Sequence, residues 1–342
     1  MSLLYRGSVK DIYEKGPDLV FKYSNRYSVF DWGEMPNEIP QKGQCLALLS
    51  GFFFDYLKDK GVGSHYIGPE IAADSISVRR VDVIRPLHRN GQYEYSAYSS
   101  MPVQTLVPLE VIFRFLLGQG NSLEARLKKN PSYLNDLGLD KMPTAADKFT
   151  PALVEFSTKL ESTDRYLTRP QIESMNVVSN GELTRIRELT REIAGHLETL
   201  FASFGVKLWD GKFEFAFGNK TANGDRDLFL VDSIGPDELR LTYNGLPLSK
   251  EFLRQIYTKT PWLEAAKKAK TIADERGTEN WKEICIKELG EQPRPLKQEE
   301  IETASLLYKA LTNEVAGAMG RVKPFEATAN LKTWSERCAS LL

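Results

Sequence analysis

The chain has 342 residues, 42% of them apolar, and a formal net charge of -1 from 45 Lys and Arg against 46 Asp and Glu. That length suits one large domain or two lobes with a sizeable core, and the near-neutral balance gives no footprint for a nucleic-acid or membrane partner. Cys45, Cys285 and Cys338 fit neither a disulfide framework nor zinc spacing, and the opening MSLLYRGSVKDIYE has no signal pattern, so a reducing cytoplasm is expected.

In chain order, LLYRGSVKDIYE and DLVFKYSN predict a hairpin turned at KGPD. Residues 43–60 predict a helix stopped by Gly61, and SISVRRVDVI predicts a strand. Residues 85–104 are polar and aromatic, a hairpin or loop excursion. LVPLEVIFRFLLGQGNSLEARLKK runs strand, glycine loop, helix, and 128–150 lack a sustained period, which makes them a connection or surface insertion. A helix follows at 182–204, opened by a Ser179–Glu182 capping box and closed by Gly205. Two strands, 206–217 and 227–234, are joined by the turn-rich GNKTANGDRD. Helices near 249–257, 261–275, 279–289 and 297–318 complete an α+β chain.

Alternation makes the pair of strands informative. In VKLWDGKFEFAFG, Asp210, Lys212 and Glu214 share one face and Phe213, Phe215 and Phe217 the other. DLFLVDSI places a single acid, Asp232, in an apolar run, and a turn near Asn223-Gly224 brings it close to opposite Glu214. Facing carboxylates repel, and magnesium, which takes one or two carboxylates plus substrate phosphates, removes the conflict. A solvated strand face neutralised by the lysine explains the pattern equally well. In PLEVIFRF, Glu110, Ile112 and Arg114 share a face, and GQGNS with Ser122 at the following helix start suits a phosphate. The Gly7-Ser8 turn followed by Lys10 suits nucleotide phosphates but is no Walker A motif. His65 reads as structural, as does His196 on its helix, and His88 has no metal spacing.

Taken in order, LYRGSVKDIYE, IPQKG, VPLEVIFRF…GNSLEAR, TKLESTDRYL, WDGKFEFAFG and LVDSIGPDELR resemble the successive blocks of the SAICAR synthetase family, from residue 4 to about 270. The resemblance implies a two-lobed fold related to ATP-grasp enzymes and protein kinases. It divides the chain into a small β-rich ATP-binding lobe (1–106), a larger α+β lobe (107–270) and a helical C-terminal extension packed on the larger lobe (271–342). It implies an ATP- and magnesium-dependent ligase, expected as a homodimer, joining a carboxyaminoimidazole ribonucleotide to L-aspartate, with no nucleic-acid or membrane partner. By the same resemblance Glu214 and Asp232 serve magnesium and ATP, with Lys10, Gly7 and Arg80 also at ATP. Lys212 and Lys42 serve catalysis, and Arg114, Ser122, Lys159, Asp164 and Arg240 the ribonucleotide. The chain departs from the family pattern at Ser8, Phe115, Leu160, Ser233 and Gly235, and in the longer GQGNS loop. These departures leave open a divergent ligase or kinase acting on another carboxylate.

Overall fold

The computed structural model describes residues 1–118 and 121–342. The GQGNS loop expected to suit a phosphate therefore lies partly, at Gln119 and Gly120, outside the described residues. Its elements, mixed α and β, fall into two compact units, one of residues 1–49, 69–77 and 242–342 and the other of 50–68 and 78–241.

The first unit carries most of a five-stranded sheet of order β1-β2-β3-β5-β4, built from β1 (Ser2–Arg6), β2 (Lys10–Lys15), β3 (Asp18–Tyr23), β4 (Tyr66–Pro69) and β5 (Ser75–Arg79). The hairpin expected at KGPD forms between β2 and β3, with Lys15 opposite Asp18 and Gly16 at φ 61°. The helix expected at 43–60 is α1 (Lys42–Lys58), and Gly61 follows at φ 85°. Residues 85–104 fold into a short hairpin, β6 (Leu87–Arg89) and β7 (Gln92–Glu94), and a 3₁₀ turn at Ser96–Ser100.

The second unit carries most of a seven-stranded sheet of order β10-β9-β8-β11-β13-β14, with β12 also paired to β11. Its strands are β8 (Thr105–Leu116), β9 (Lys148–Thr158), β10 (Tyr166–Leu167), β11 (Val206–Lys220), β12 (Arg226–Val231), β13 (Leu239–Tyr243) and β14 (Leu246–Pro247). Strand β9, at the heart of the site, is not among the expected elements, because its apolar run is short and opens in polar residues. Between β8 and β9, the helices α2 (Ser122–Lys129) and α3 (Tyr133–Leu137) bury Leu123, Leu127, Tyr133 and Leu137 against Leu117 and Leu153. The expected connection thus has a small core of its own.

Helices α4 (Arg169–Met175) and α5 (Asn180–Ala202) lead back into β11. The expected capping box opens α5: Glu182 N donates to Ser179 Oγ at 3.0 Å and Ser179 N to Glu182 Oε2 at 2.9 Å. Ile186, Ile193 and Leu197 of α5 are fully buried, and the helix covers the apolar face of β8, β9 and β11. On that face Phe113 and Phe213 stack at 4.8 Å. Each such fully buried side chain contributes about 1.5–3 kcal/mol. One sheet face being sealed, the polar residues of the same strands must share the other.

The C-terminal helices are α6 (Lys250–Tyr257), α7 (Pro261–Glu275), α8 (Trp281–Lys287), α9 (Gln298–Ala318) and α10 (Leu331–Leu341), the last unanticipated. They belong to the same compact unit as the N-terminal strands. Within it, the Tyr27 and Tyr257 hydroxyls meet at 2.8 Å, Tyr257 Oη donates to Arg294 O, and Trp32 packs edge-on against Trp262 and Trp281. No helix among the described residues is long and apolar enough to cross a membrane.

A buried ion pair locks the start of α5 to β12. Arg226 donates to both oxygens of Glu182, at 2.7 and 2.8 Å, and to the carbonyls of Pro102 and Val177. Burial would raise the Glu182 carboxyl, but the Arg226 fork and the Ser179 and Arg226 backbone N–H groups hold it below its ordinary range. Arg226→Met should therefore cost about 3–5 kcal/mol in urea unfolding, by leaving a buried carboxylate uncompensated. In the wild type, a depressed carboxyl contributes stability above its ordinary pKa, and acid titration of the unfolding midpoint should show that share lost as pH falls below it.

Candidate active site

Antiparallel register arranges the polar face of β9, β8 and β11 in rows. Glu110 faces Glu214 on one side and Ser157 on the other; Ile112 lies between Lys212 and Glu155; Arg114 lies between Asp210 and Leu153. The expected shared faces of both strands are thus observed, and β9 adds Glu155.

The first charge group centres on two opposed acids. Lys159, one residue past β9, places Nζ 3.0 Å from Glu110 Oε1 and 2.7 Å from Glu214 Oε1, while Lys212 Nζ donates to Glu110 Oε1 at 2.6 Å. Burial would raise the Glu110 carboxyl, but the two ammonium groups outweigh it and hold it low. Burial would likewise lower both lysines, and the facing carboxylates win, raising them. Glu214 goes the other way, pushed up to about 7 by burial first and by the charge of Asp232 second, against the pull of Lys159 and Lys212.

Asp232 lies close to Glu214 as expected, one residue past the facing position, which Val231 fills as the last residue of β12. Asp232 then turns left-handed at φ 66°, out of the strand conformation. Glu214 Oε1 is buried without a hydrogen bond of good geometry, despite its short ion contact to Lys159. A buried acceptor with spare capacity beside a second acid fits a divalent cation that takes its remaining ligands from phosphate oxygens. Among the described residues no group of three or more His, Cys, Asp or Glu could hold a metal, so the rest of a cation's shell would come from water or substrate oxygens.

The second group is a guanidinium cluster on the same face. Arg114 Nε donates to Glu155 Oε2 at 2.6 Å and Nη1 to Asp210 Oδ2 at 3.3 Å, and its side chain is only 5% exposed. Arg126 pairs with the other oxygen of Glu155 and sits over Tyr166, its Cζ 3.3 Å from the ring centroid. Its Nη1 donates to Ser122 Oγ at 2.7 Å. Arg240 Nη1 lies 3.3 Å from Asp210 Oδ2 but makes no hydrogen bond of good geometry. A Cβ on Gly118 would meet that nitrogen at 2.5 Å, so a side chain there would make the Arg240 guanidinium shift. The structure brings Arg114, Ser122 and Arg240 together as expected, with Arg114 deep and already paired. Arg126, Arg240 and Ser122 are the more accessible members.

Of the other candidates, Asp164 is exposed on the loop between β9 and β10, and Arg80 is exposed just after β5. In the first unit, Gly7 N donates to Lys10 O at 2.9 Å, and a Cβ on Gly7 would meet that oxygen at 2.5 Å. The Lys10 ammonium lies 4.3 Å from the Phe21 ring centroid. Lys42 opens α1 fully buried, its Nζ 5.3 Å from the Tyr308 ring.

Sequence reasoning assigned no role to Glu110, Arg126, Glu155 or Asp210. Glu155 could have been found as a lone acid in the apolar run ALVEFS, the signal that revealed Asp232. Glu110 and Asp210 were legible as members of polar faces, but not as partners of particular cations.

The family model of SAICAR synthetase matches residues 3–269. A protein of Archaeoglobus fulgidus, provisionally named a phosphoribosylaminoimidazole-succinocarboxamide synthase, is 35% identical over 330 residues, covering 91% of this chain and 93% of that protein. The Thermoplasma acidophilum protein named phosphoribosylaminoimidazole-succinocarboxamide synthase is 33% identical, over 76% of this chain and 84% of its own. Among solved structures, the Saccharomyces cerevisiae SAICAR synthase complexed with SAICAR matches with a TM-score of 0.64 at 21% identity, over 93% of this chain and 95% of that one. A SAICAR synthetase in complex with ADP matches at 0.55 and 24% identity, over 85% of this chain and 99% of its own. The two structures share this chain's fold, and the class is that of a ligase. The chain belongs to the SAICAR synthetase family.

The raised Glu214 carboxyl has a measurable sign. In the metal-free protein, folded Glu214 keeps a proton that the unfolded chain has released, so its contribution to stability should fall as pH rises from about 4.5 to about 7. Urea titrations across that range should show the slope, and Glu214→Gln should flatten it. Mn²⁺ binding with ADP should release a proton below pH 7, read by calorimetry in buffers of different ionisation enthalpy, and Glu214→Gln should abolish the release.

Proposed function

We propose that the protein joins 5-amino-1-(5-phosphoribosyl)imidazole-4-carboxylate (CAIR) to L-aspartate, consuming ATP and giving SAICAR, ADP and phosphate in purine biosynthesis. The observation that carries this reading is one sheet face holding an acid–lysine group beside an arginine–serine group. Two polyanions, a nucleoside triphosphate and a phosphorylated acceptor, need both.

A carboxylate resists attack by an amine. Its oxygen therefore attacks the γ-phosphorus of ATP and ADP leaves; the aspartate amine then attacks the carboxyl carbon and inorganic phosphate leaves. Lys159 and Lys212, held charged by the facing glutamates, are placed to offset negative charge on the transferring group. Glu214 and Asp232 are assigned to magnesium, which when bound neutralises phosphate charge. Lys10, Gly7 and Arg80 are assigned to ATP, Lys42 to catalysis, and Lys159 and Asp164 to the imidazole end of the acceptor.

Arg240, Arg126 and Ser122 are assigned to the acceptor's 5′-phosphate. Arg114 acts behind them, orienting Asp210 and Glu155. A planar fork beside a hydroxyl suits a phosphate dianion.

Purified protein incubated with ATP, Mg²⁺, L-aspartate and CAIR should form ADP and SAICAR in equal amounts. ADP formation independent of CAIR would overturn the reading. Arg240→Ala should lower kcat/KM for CAIR by roughly 10- to 150-fold, or about 1.5–3 kcal/mol, with ATP affinity unchanged. The dephosphorylated nucleoside should be a poor acceptor for the wild type, and equal use of the two forms would remove the phosphate assignment.

A further inference from the structure

Asp232 lies in the left-handed region at φ 66°, which Asp enters more readily than most residues and which takes the chain out of the strand conformation. It follows directly on β12, and residues 63–65 run beside the end of that strand. Leu230 N donates to Gly63 O at 2.9 Å, His65 N donates to Leu230 O at 3.0 Å, and Ser64 forms a parallel bridge with Leu230. Beyond this point the acceptor on Asp232 is met by a side chain: His65 Nε2 lies 3.0 Å from Asp232 O. Facing a carbonyl, that nitrogen must carry the proton and donate.

His65 is itself held firmly. The residue is 2% exposed, its ring packs edge-on against Phe54 at 5.6 Å, and its carbonyl accepts from Arg79 N at 2.7 Å. The imidazole thus continues, by one rung, the hydrogen bonding that the backbone of 63–65 makes to β12. The residue pinned by that rung carries the carboxylate whose charge reaches Glu214.

We propose that His65 is a positioning residue: its Nε2–H holds the left-handed turn at Asp232 and so aims the Asp232 carboxylate beside Glu214. The inference rests on the assignment of Asp232 to the metal-nucleotide.

The test compares His65→Leu, which removes the donor, with His65→Gln, whose amide N–H reaches the position of Nε2. Mn²⁺ binding in the presence of ADP is measured on each purified protein by the electron paramagnetic resonance of free Mn²⁺, with Asp232→Asn as reference. His65→Leu should weaken Mn²⁺–ADP binding by about 10- to 100-fold while KM for aspartate stays within about twofold, and His65→Gln should recover most of the binding. Unchanged binding in Asp232→Asn would overturn the metal assignment and the inference with it. Weakened binding in Asp232→Asn but wild-type binding in His65→Leu, or no recovery in a folded His65→Gln, would overturn the positioning role alone. If circular dichroism shows His65→Leu unfolded, His65→Asn takes its place, since its shorter amide cannot reach the carbonyl. Equal binding by the Asn and Gln variants would then overturn the proposal.

Discussion

Two glutamates directly opposite each other on adjacent strands would ordinarily push those strands apart, and Glu110 and Glu214 are both buried. The sheet tolerates them because Lys159 reaches both carboxylates and Lys212 reaches Glu110. The compensation is unequal. Glu110 takes both ammonium groups and stays ionised, whereas Glu214 has one close lysine and a second acid as neighbour, and is pushed up to about 7. That asymmetry separates a structural anion from one with capacity left for a ligand.

The guanidinium cluster follows the same logic on the next rows of the sheet. Glu155 and Asp210 are buried acids whose role is to hold arginines: Glu155 joins Arg114 to Arg126, and Asp210 joins Arg114 to Arg240. Arg114 is spent on that framework. The two outer arginines keep part of their surface, Arg126 lying against Tyr166 and Arg240 beside Gly118. A buried ion network of this kind is weak support for stability but strong support for geometry, because removing any partner leaves a charge uncompensated.

Both groups depend on the opposite side of the sheet. With Phe113, Phe213 and Phe156 sealed by α5, a one-residue slip of β8 against β11 would turn every charged residue into the core. The buried Arg226–Glu182 pair fixes the start of α5 to β12, and β12 leads directly into Asp232. Packing on one face thus sets the register that positions charge on the other.

The sequence by itself determined the face on which each strand residue lies, since alternation is a local property of extended backbone. Asp210, Lys212 and Glu214 against Phe213, Phe215 and Phe217 were legible for that reason. So were the capping box at Ser179, the turn at Gly16 and four of the C-terminal helices, all governed by residues close in sequence. Only the tertiary structure decided partnership. It set Glu110 across from Glu214 on one side and Val231 on the other, because pairing of β8 with β11 is a long-range choice and β12 ends at Val231, where the chain turns at Asp232. It revealed Glu155 by placing β9, whose short apolar run has no decisive period, between β8 and β10. It also left Arg114 inside the ion network and Arg126 at its edge, since two arginines in one motif differ in accessibility only once the buried acids that claim them are in place.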